Sequence, residues 1–371
     1  MKNLHDIEYL QDVRVLVRVD FNVPIKNGMV ADDYRIRMAL PTIEFLRSKG
    51  AKVVLMSHIE VKDGEKATLE PVARQLVTLG VPVTFCKNFV NAFDDVNDLT
   101  SGGCILLENL RLFPGEKTND PKFAKELASL GDIYVNEAFS ASHREHASIV
   151  GVPSIIPGYA GLQLEREVLQ LSKAFNPSHP FLFILGGAKF ETKIPLLEKF
   201  VKEADTIFVG GALANDFYKA KGYEVGKSLV SEKNVDISKY LNDTKIVVPS
   251  DVVDEDHKTF SAGQLSSDQK IMDAGPESIN ALREKVDSAS FVLWNGPLGL
   301  YEAGYKDATL AVAKMISARG RNITSIVGGG DTLAAIATLG VQDEFTFVST
   351  AGGAMLDFLA QGTLPGIEAL C

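Results

Sequence analysis

The sequence predicts an α/β protein with parallel sheets arranged in two domains, and three observations carry that expectation. Short apolar runs of strand length alternate with segments of helical spacing along the chain. The residues just past those runs are repeatedly Asp, Asn, His, Arg or Gly, types suited to a ligand-binding rim at the carboxyl ends of parallel strands. At 371 residues the chain is also too long for one compact core, and its second half repeats the alternation without repeating the sequence.

In the first half, Val13–Val19 alternates Val, Arg, Val, Leu, Val, Arg, Val as a strand and ends in Asp20-Phe21-Asn22. A turn at Lys26-Asn27-Gly28 precedes a helix from about Arg35 to Lys49, stopped by Gly50. The next strand, Lys52–Ser57, ends at His58. Val81–Phe85 and Cys104–Leu107 follow, the latter leading into Glu108-Asn109-Leu110-Arg111. Asp120 is placed to cap a helix beginning at Pro121. Ile133–Val135 is a strand whose end runs into a polar stretch containing Ser140, His143 and Arg144. The Gly- and Pro-rich stretch from Gly151 to Gly161 and a helix from Leu162 to Phe175 read as the domain connection. The second-half strands are Phe181–Ile184, Thr206–Val209, Lys245–Val248, Phe291–Trp294 and Ser325–Val327.

Composition narrows the function. The net charge of −10 repels nucleic acid and anionic membranes, so any anionic substrate must be drawn in by a local cluster of Lys and Arg. The three cysteines, Cys86, Cys104 and Cys371, have no metal-ligand spacing and suit a reducing compartment. No run is long enough to span a membrane, and MKNLHDIEYL lacks the apolar core of a signal peptide. A cytoplasmic protein is expected.

Candidate chemistry gathers at strand ends. In ILGGAKFETK a buried strand meets Gly186-Gly187, and a helix is expected from Glu191 to Phe200. Lys189 and Lys193 stand four apart at that helix's start, where two cations repel each other and the positive end of the helix dipole. An anion between them would explain the pair; two solvated surface lysines would do so too. Gly328-Gly329-Gly330-Asp331-Thr332 exposes backbone N–H groups beside a helix start, a natural phosphate cradle. Asp331 could cap that helix or hold Mg²⁺. Trp294-Asn295 opens a loop of small and apolar residues that closes at Glu302, with a core Trp and a solvent-facing Glu as the plain alternative. In the first half, Arg35, Arg111, Arg144, His58 and His143 surround one inferred rim, where arginine's planar fork suits carboxylate and phosphate. Singly, each Arg could be an ordinary salt-bridge partner. Neither a Walker A sequence nor GxGxxG is present.

In order along the chain, RVDFNVP, DDYRIRMALPTI, ENLRLFPGE, HREHAS, LGGAKFETK, WNGPLGLYE, GGGDT and STAGGA resemble the phosphoglycerate kinase family. The resemblance implies two Rossmann-like domains, each a parallel sheet with helices on both faces, joined by a long helix and facing each other across a cleft. It divides the chain into a 3-phosphoglycerate domain over 1–160, a connecting helix over 161–176, a nucleotide domain over 177–350 and a segment over 351–371 that returns to the first domain. It implies that Asp20, Asn22, Arg35, His58, Arg111 and Arg144 bind the glycerate. Lys189, Lys193, Asn295, Glu302, Gly330, Asp331 and Thr332 would bind the nucleotide, with Glu302 on the ribose and Asp331 on the metal. Arg35, Lys193 and the helix start after Gly352 would surround the transferring group. The cofactor is Mg²⁺ with ATP or ADP, and the enzyme a monomer whose partners are small molecules.

Several positions depart from the family pattern. His58-Ile59-Glu60-Val61-Lys62 replaces His-Leu-Gly-Arg-Pro, so a phosphate-binding Arg becomes Val61 and Glu60 adds negative charge. Leu112-Phe113 stands where an aromatic-His pair is usual, Thr192 replaces an acid, and Ser140 and Ala351 replace glycines. Weak 3-phosphoglycerate binding beside ordinary nucleotide binding is therefore expected. A relative acting on another acyl-phosphate acceptor, or a nucleotide-binding protein with little kinase activity, remains an alternative.

Overall fold

The computed structural model describes residues 1–60, 67–188, 190–231 and 236–371. It divides into two compact units, Met1–Leu169 with Gln361–Cys371, and Gln170–Ala360.

The first unit is built on six parallel strands: β1 (Arg14–Arg18), β2 (Lys52–Met56), β3 (Thr84–Cys86), β4 (Cys104–Leu107), β5 (Ile133–Asn136) and β6 (Gly158–Ala160). Their order is β3-β4-β2-β1-β5-β6, with every neighbouring pair parallel. Parallel pairing demands crossovers, supplied by helices such as Tyr34–Ser48 between β1 and β2 and Pro121–Ala128 between β4 and β5. Val15 and Val17 are fully buried, and so is Leu16 on the opposite face of the strand, so both faces of the sheet are covered. The helix Tyr34–Ser48 ends where expected, because Gly50 adopts φ +77, a conformation other residues reach only at a cost. Asp120 caps its helix as read from the sequence, accepting from Lys122 N at 2.8 Å and Phe123 N at 3.0 Å.

The second unit holds six more parallel strands: β7 (Phe181–Leu185), β8 (Thr206–Val209), β9 (Ile246–Val247), β10 (Phe291–Asn295), β11 (Thr324–Gly328) and β12 (Phe347–Ser349). Their order, β9-β8-β7-β10-β11-β12, is that of a doubly wound α/β sheet, with the winding reversing between β7 and β10. Both central strands are buried at every residue. A three-stranded antiparallel sheet, Asp251–Asp254, Thr259–Ser261 and Ile271–Ala274, was not anticipated. Its strands have three or four residues and include Asp251, Asp254 and Asp273, which blurs any apolar alternation.

Three boundaries differ from expectation. The helix expected from Glu191 begins at Ile194, after a 3₁₀ turn over Phe190–Thr192. Pro195 favours this start: in a helix begun at Glu191 its ring would crowd the carbonyl four residues back, whereas a start at Ile194 puts it in the first turn. The connecting helix is α-helical over Leu162–Ser172 and tightens to 3₁₀ over Lys173–Phe175. The segment belonging to the first unit is Gln361–Cys371 rather than the whole of 351–371. Helix Gly353–Gln361 packs instead on the second unit, with Phe358 at 5.5 Å from the Phe175 ring.

Candidate functional site

In the first unit the loops after β1, β2, β4 and β5 bring their polar residues to one rim. Arg35, in the first turn of its helix, donates to Asp20 Oδ2 at 2.9 Å and to the Asn22 carbonyl at 3.3 Å. Ser140 donates its hydroxyl to the same Asp20 oxygen at 2.5 Å. Arg111 and Arg144 converge on one carboxylate oxygen: Glu60 Oε1 accepts from Arg111 Nη2 at 2.8 Å and from Arg144 Nη1 at 2.8 Å. Arg111 Nε adds a third bond at 3.2 Å. Burial pushes the Glu60 carboxyl up, but the hydrogen bonds from Arg144 and Arg111 outweigh it and hold the group below the usual carboxylate range. Glu60 is ionised at neutral pH.

A buried layer underlies this rim. Arg18 is fully buried and donates to His58 Nδ1 at 2.8 Å, to Ser148 Oγ at 2.9 Å and to the Val19 carbonyl at 2.6 Å. Because Nδ1 accepts from a guanidinium, the proton of a neutral His58 sits on Nε2, which faces Glu60 Oε1 at 3.8 Å. Burial and then the charges of Arg18, Arg111 and Arg144 push the His58 pKa well below 6.5. His146 falls to about 4, through burial and Arg111 first. Both rings are neutral at pH 7, so the positive charge of the cluster belongs to its arginines. Buried Glu116 accepts from Ser148 Oγ at 2.6 Å and from Ser148 N at 3.0 Å, which anchors the layer.

In the second unit, strand ends β7, β10 and β11 enclose a different site. Lys193 is buried, and its Nζ donates to the side-chain oxygen of Asn295 and, at 3.4 Å, to the Asn295 carbonyl. Burial lowers its pKa to about 7. Asn295 Nδ2 lies 3.8 Å from Met355 Sδ, in the helix that follows Gly352. Gly296 N donates to Thr332 Oγ1 at 3.2 Å, which ties the β10 loop to the helix Gly330–Leu339. The N-cap of that helix is Gly329 at φ +103, not Asp331, so capping does not account for Asp331. Burial, then the charge of Glu302, raises the Asp331 pKa.

A cavity of about 520 Å³ opens beside these groups, lined by Gly187, Gly211, Leu229, Pro249, Glu302 and Asp331 among others. Gly211 has φ +63, and a Cβ there would stand 2.7 Å from Gly187 N, so the close approach of these two loops admits only glycine. The size and the mainly apolar walls suit one small organic ligand, with Asp273, Glu302 and Asp331 as the carboxylates among its lining residues.

Most of the residues singled out from sequence are thus brought together within their own units. Asp20, Asn22, Arg35, His58, Arg111 and Arg144 share the first rim, while Lys193 bonds Asn295 and Thr332 bonds the backbone of the next residue, Gly296, beside Gly330 and Asp331. Lys189, Val61 and Lys62 lie outside the described residues. Trp294 is a core residue, fully buried, with Nε1 donating to the Gly296 carbonyl at 2.9 Å, whereas Glu302 is exposed at the cavity. Phe113 packs against Phe89 and Phe123, at 5.0 and 5.3 Å, and contributes no polar group to the rim. Sequence reasoning missed Arg18, which looked like one more alternating strand position, and the cavity wall near Asp251–Asp254. It also missed the role of Glu60, whose signal was present: an acid two residues after a strand-end His.

Among described residues, no group of three or more His, Cys, Asp and Glu could hold a metal unaided. The lone carboxylate of Asp331 does fit Mg²⁺ carried by a nucleotide, since Mg²⁺ keeps waters and takes phosphate oxygens with one or two carboxylates.

The family model described as phosphoglycerate kinase matches residues 4–362. The phosphoglycerate kinase of Dictyoglomus turgidum is 43% identical over 383 residues, covering 98% of this chain and 96% of its own. That of Caulobacter vibrioides is 42% identical over 388 residues, covering 98% of both chains. Among solved structures, phosphoglycerate kinase from Coxiella burnetii aligns with a TM-score of 0.88 at 35% identity, over 99% of this chain and 98% of that one. The enzyme from Pyrococcus horikoshii aligns at 0.85 and 32% identity, over 100% and 98%. Two six-stranded parallel sheets, an arginine rim on one and a glycine-lined cavity on the other thus accompany matches over nearly the whole length, and the chain belongs to the phosphoglycerate kinase family.

Proposed function

We propose that the chain transfers the terminal phosphoryl group of ATP to the carboxylate of 3-phosphoglycerate, and reverses that step to make ATP from the acyl phosphate and ADP. The observation that carries the reading is Lys193, a buried ammonium with hydrogen bonds to Asn295 and no carboxylate partner among the described residues. A cation so placed is costly unless an anion arrives to match it.

The nucleotide base enters the apolar cavity, and Glu302 accepts from the ribose hydroxyls. Lys189, Thr332 and the backbone at Gly330 hold phosphate oxygens. Asp331 would hold Mg²⁺, which would supply positive charge against the phosphate oxygens. On the other unit, Arg111, Arg144 and His58 take the glycerate's phosphate end, and Asp20, Asn22 and Arg35 orient its carboxylate end. A carboxylate oxygen attacks the terminal phosphorus, the bond to the bridging oxygen breaks, and ADP leaves with that electron pair. No proton moves, so no general base is required. Lys193, Arg35 and the helix starts at Gly330 and after Gly352 balance charge on the equatorial oxygens, which is where catalysis of such a transfer lies. A phosphate beside Lys193 also returns it to the charged form.

The reading includes a monomer acting in the cytoplasm. No helix among the described residues is long and apolar enough to cross a membrane. The test is a coupled assay with purified protein. ADP should form only when 3-phosphoglycerate, ATP and Mg²⁺ are all present, and ADP formation independent of 3-phosphoglycerate would overturn the reading.

A further inference from the structure

The arginine rim of the first unit is occupied by the chain itself. Arg111 is almost wholly buried, its side chain 5% exposed, and it directs Nε and Nη2 to Glu60 and Nη1 to His146 Nδ1 at 3.3 Å. Arg144 directs Nη1 to the same Glu60 oxygen and Nε to His143 Nε2 at 3.3 Å. One carboxylate oxygen thus sits where two guanidinium groups converge, with His58 Nε2 a further 3.8 Å away. That is a seat for an anionic oxygen: two cations and an imidazole N–H aimed at one point.

The position of Glu60 is built rather than incidental. Its backbone N donates to Asn22 Oδ1 at 3.0 Å, tying it to the loop after β1. The preceding residue is clamped by one amide: Ile59 N donates to Asn109 Oδ1 at 3.1 Å, and Asn109 Nδ2 donates to the Ile59 carbonyl at 3.2 Å. Asn109 is itself fully buried. Two anchors on neighbouring strand ends therefore present the Glu60 side chain to the arginines.

We propose that Glu60 sets the binding threshold of this rim, as an internal anion that fills the seat between Arg111 and Arg144 and that a phosphate-bearing substrate must displace. The inference rests on the reading that this rim takes the acidic glycerate. Its consequence is a binding threshold. A ligand gains from Arg111 and Arg144 only the difference between its own hydrogen bonds and those of the resident carboxylate. A phosphate dianion, with more charge and three acceptor oxygens, can win that exchange; a monocarboxylate merely matches what it replaces. Glu60 thereby lowers affinity for every anion by the same factor, so that only those with a large gain of their own, phosphates above all, still bind at working concentrations.

The experiment is calorimetry and steady-state kinetics on the full chain and on Glu60→Gln, which keeps the shape and removes the charge. The proposal predicts that Glu60→Gln lowers both the Kd and the KM for 3-phosphoglycerate by about tenfold, the scale of one charge-assisted hydrogen bond, with the KM for Mg-ATP unchanged. Inorganic sulfate, a probe that needs no catalysis, should also bind Glu60→Gln more tightly than the wild type. Glu60→Ala should follow Glu60→Gln. If Glu60 instead merely holds the arginines in place, both variants bind 3-phosphoglycerate no better or less well, and the proposal is overturned. The two readings separate cleanly. An active wild type with no tightening in Glu60→Gln defeats this inference alone. Tighter sulfate binding without any turnover of 3-phosphoglycerate defeats the proposed reaction and leaves the anion seat standing.

Discussion

Replacing Lys193 by Met should make the protein more stable and nearly inactive at once. The ammonium is buried and its pKa has fallen from 10.5 to about 7. Between those values the unfolded chain binds more protons than the folded one, so stability from this group rises with pH across the window and is forfeited below it. Holding the charge at pH 7 costs on the order of 4 kcal/mol, from ~1.4 kcal/mol for each tenfold change in the protonation equilibrium. Met removes that cost but leaves the Asn295 side-chain oxygen without its donor, a loss of about 1–3 kcal/mol. The net gain, about 1–3 kcal/mol, corresponds to a rise of a few degrees in Tm at ~2–4 °C per kcal/mol for a domain of this size. On the proposed reaction the same change removes the cation that would meet charge on the transferring phosphoryl group, so kcat should fall by about 10²-fold or more. Differential scanning fluorimetry from pH 6.5 to 10 should show the wild type gaining on Lys193→Met as pH rises. An unchanged kcat would remove Lys193 from the chemistry. A lower Tm at pH 7 would mean that the buried ammonium is not a destabilising charge.

Other positions give sharp outcomes. Asp331→Asn keeps the shape of a side chain that is not the cap of its helix, so Tm should move little while activity collapses and more Mg²⁺ is required; full activity with unaltered Mg²⁺ dependence would dismiss it as the metal-side group. Glu137 is buried and receives the backbone N–H of Gln163 at 3.1 Å, yet burial raises its pKa to about 8. Its folded form keeps a proton that the unfolded form has lost, so its stabilising contribution is complete below about pH 4.5 and fades as pH climbs towards 8. Glu137→Gln should therefore melt progressively higher than the wild type between pH 5 and 8.5, and parallel melting curves across that range would contradict the assignment.

The sequence was most legible where one physical rule acted alone. Strands such as Phe181–Leu185 and Phe291–Asn295 are apolar almost throughout because both faces of a parallel sheet are covered, and that pattern marks them. Asp120 and Gly50 mark helix ends through local chemistry, and both do so here. What escaped was set by tertiary context. Pro195 fixes a helix start that apolar spacing alone would place earlier. The cavity wall from the antiparallel sheet is contributed by strands too short to show a period. At the first rim, residue types and loop positions were readable, but the pairing of Arg111 and Arg144 with Glu60 depends on how four loops converge.

The central claim is that a phosphoryl group moves onto a carboxyl oxygen, and hydroxylamine trapping tests it most directly. Acyl phosphates react with hydroxylamine to give a hydroxamate, whereas phosphate esters and free carboxylates do not. With 3-phosphoglycerate, Mg-ATP and hydroxylamine present, the chain should form hydroxamate and ADP in equal amounts, and both should be lost in Lys193→Met. ADP appearing with inorganic phosphate and no hydroxamate would show that water, not the glycerate carboxylate, receives the group, and would contradict the account.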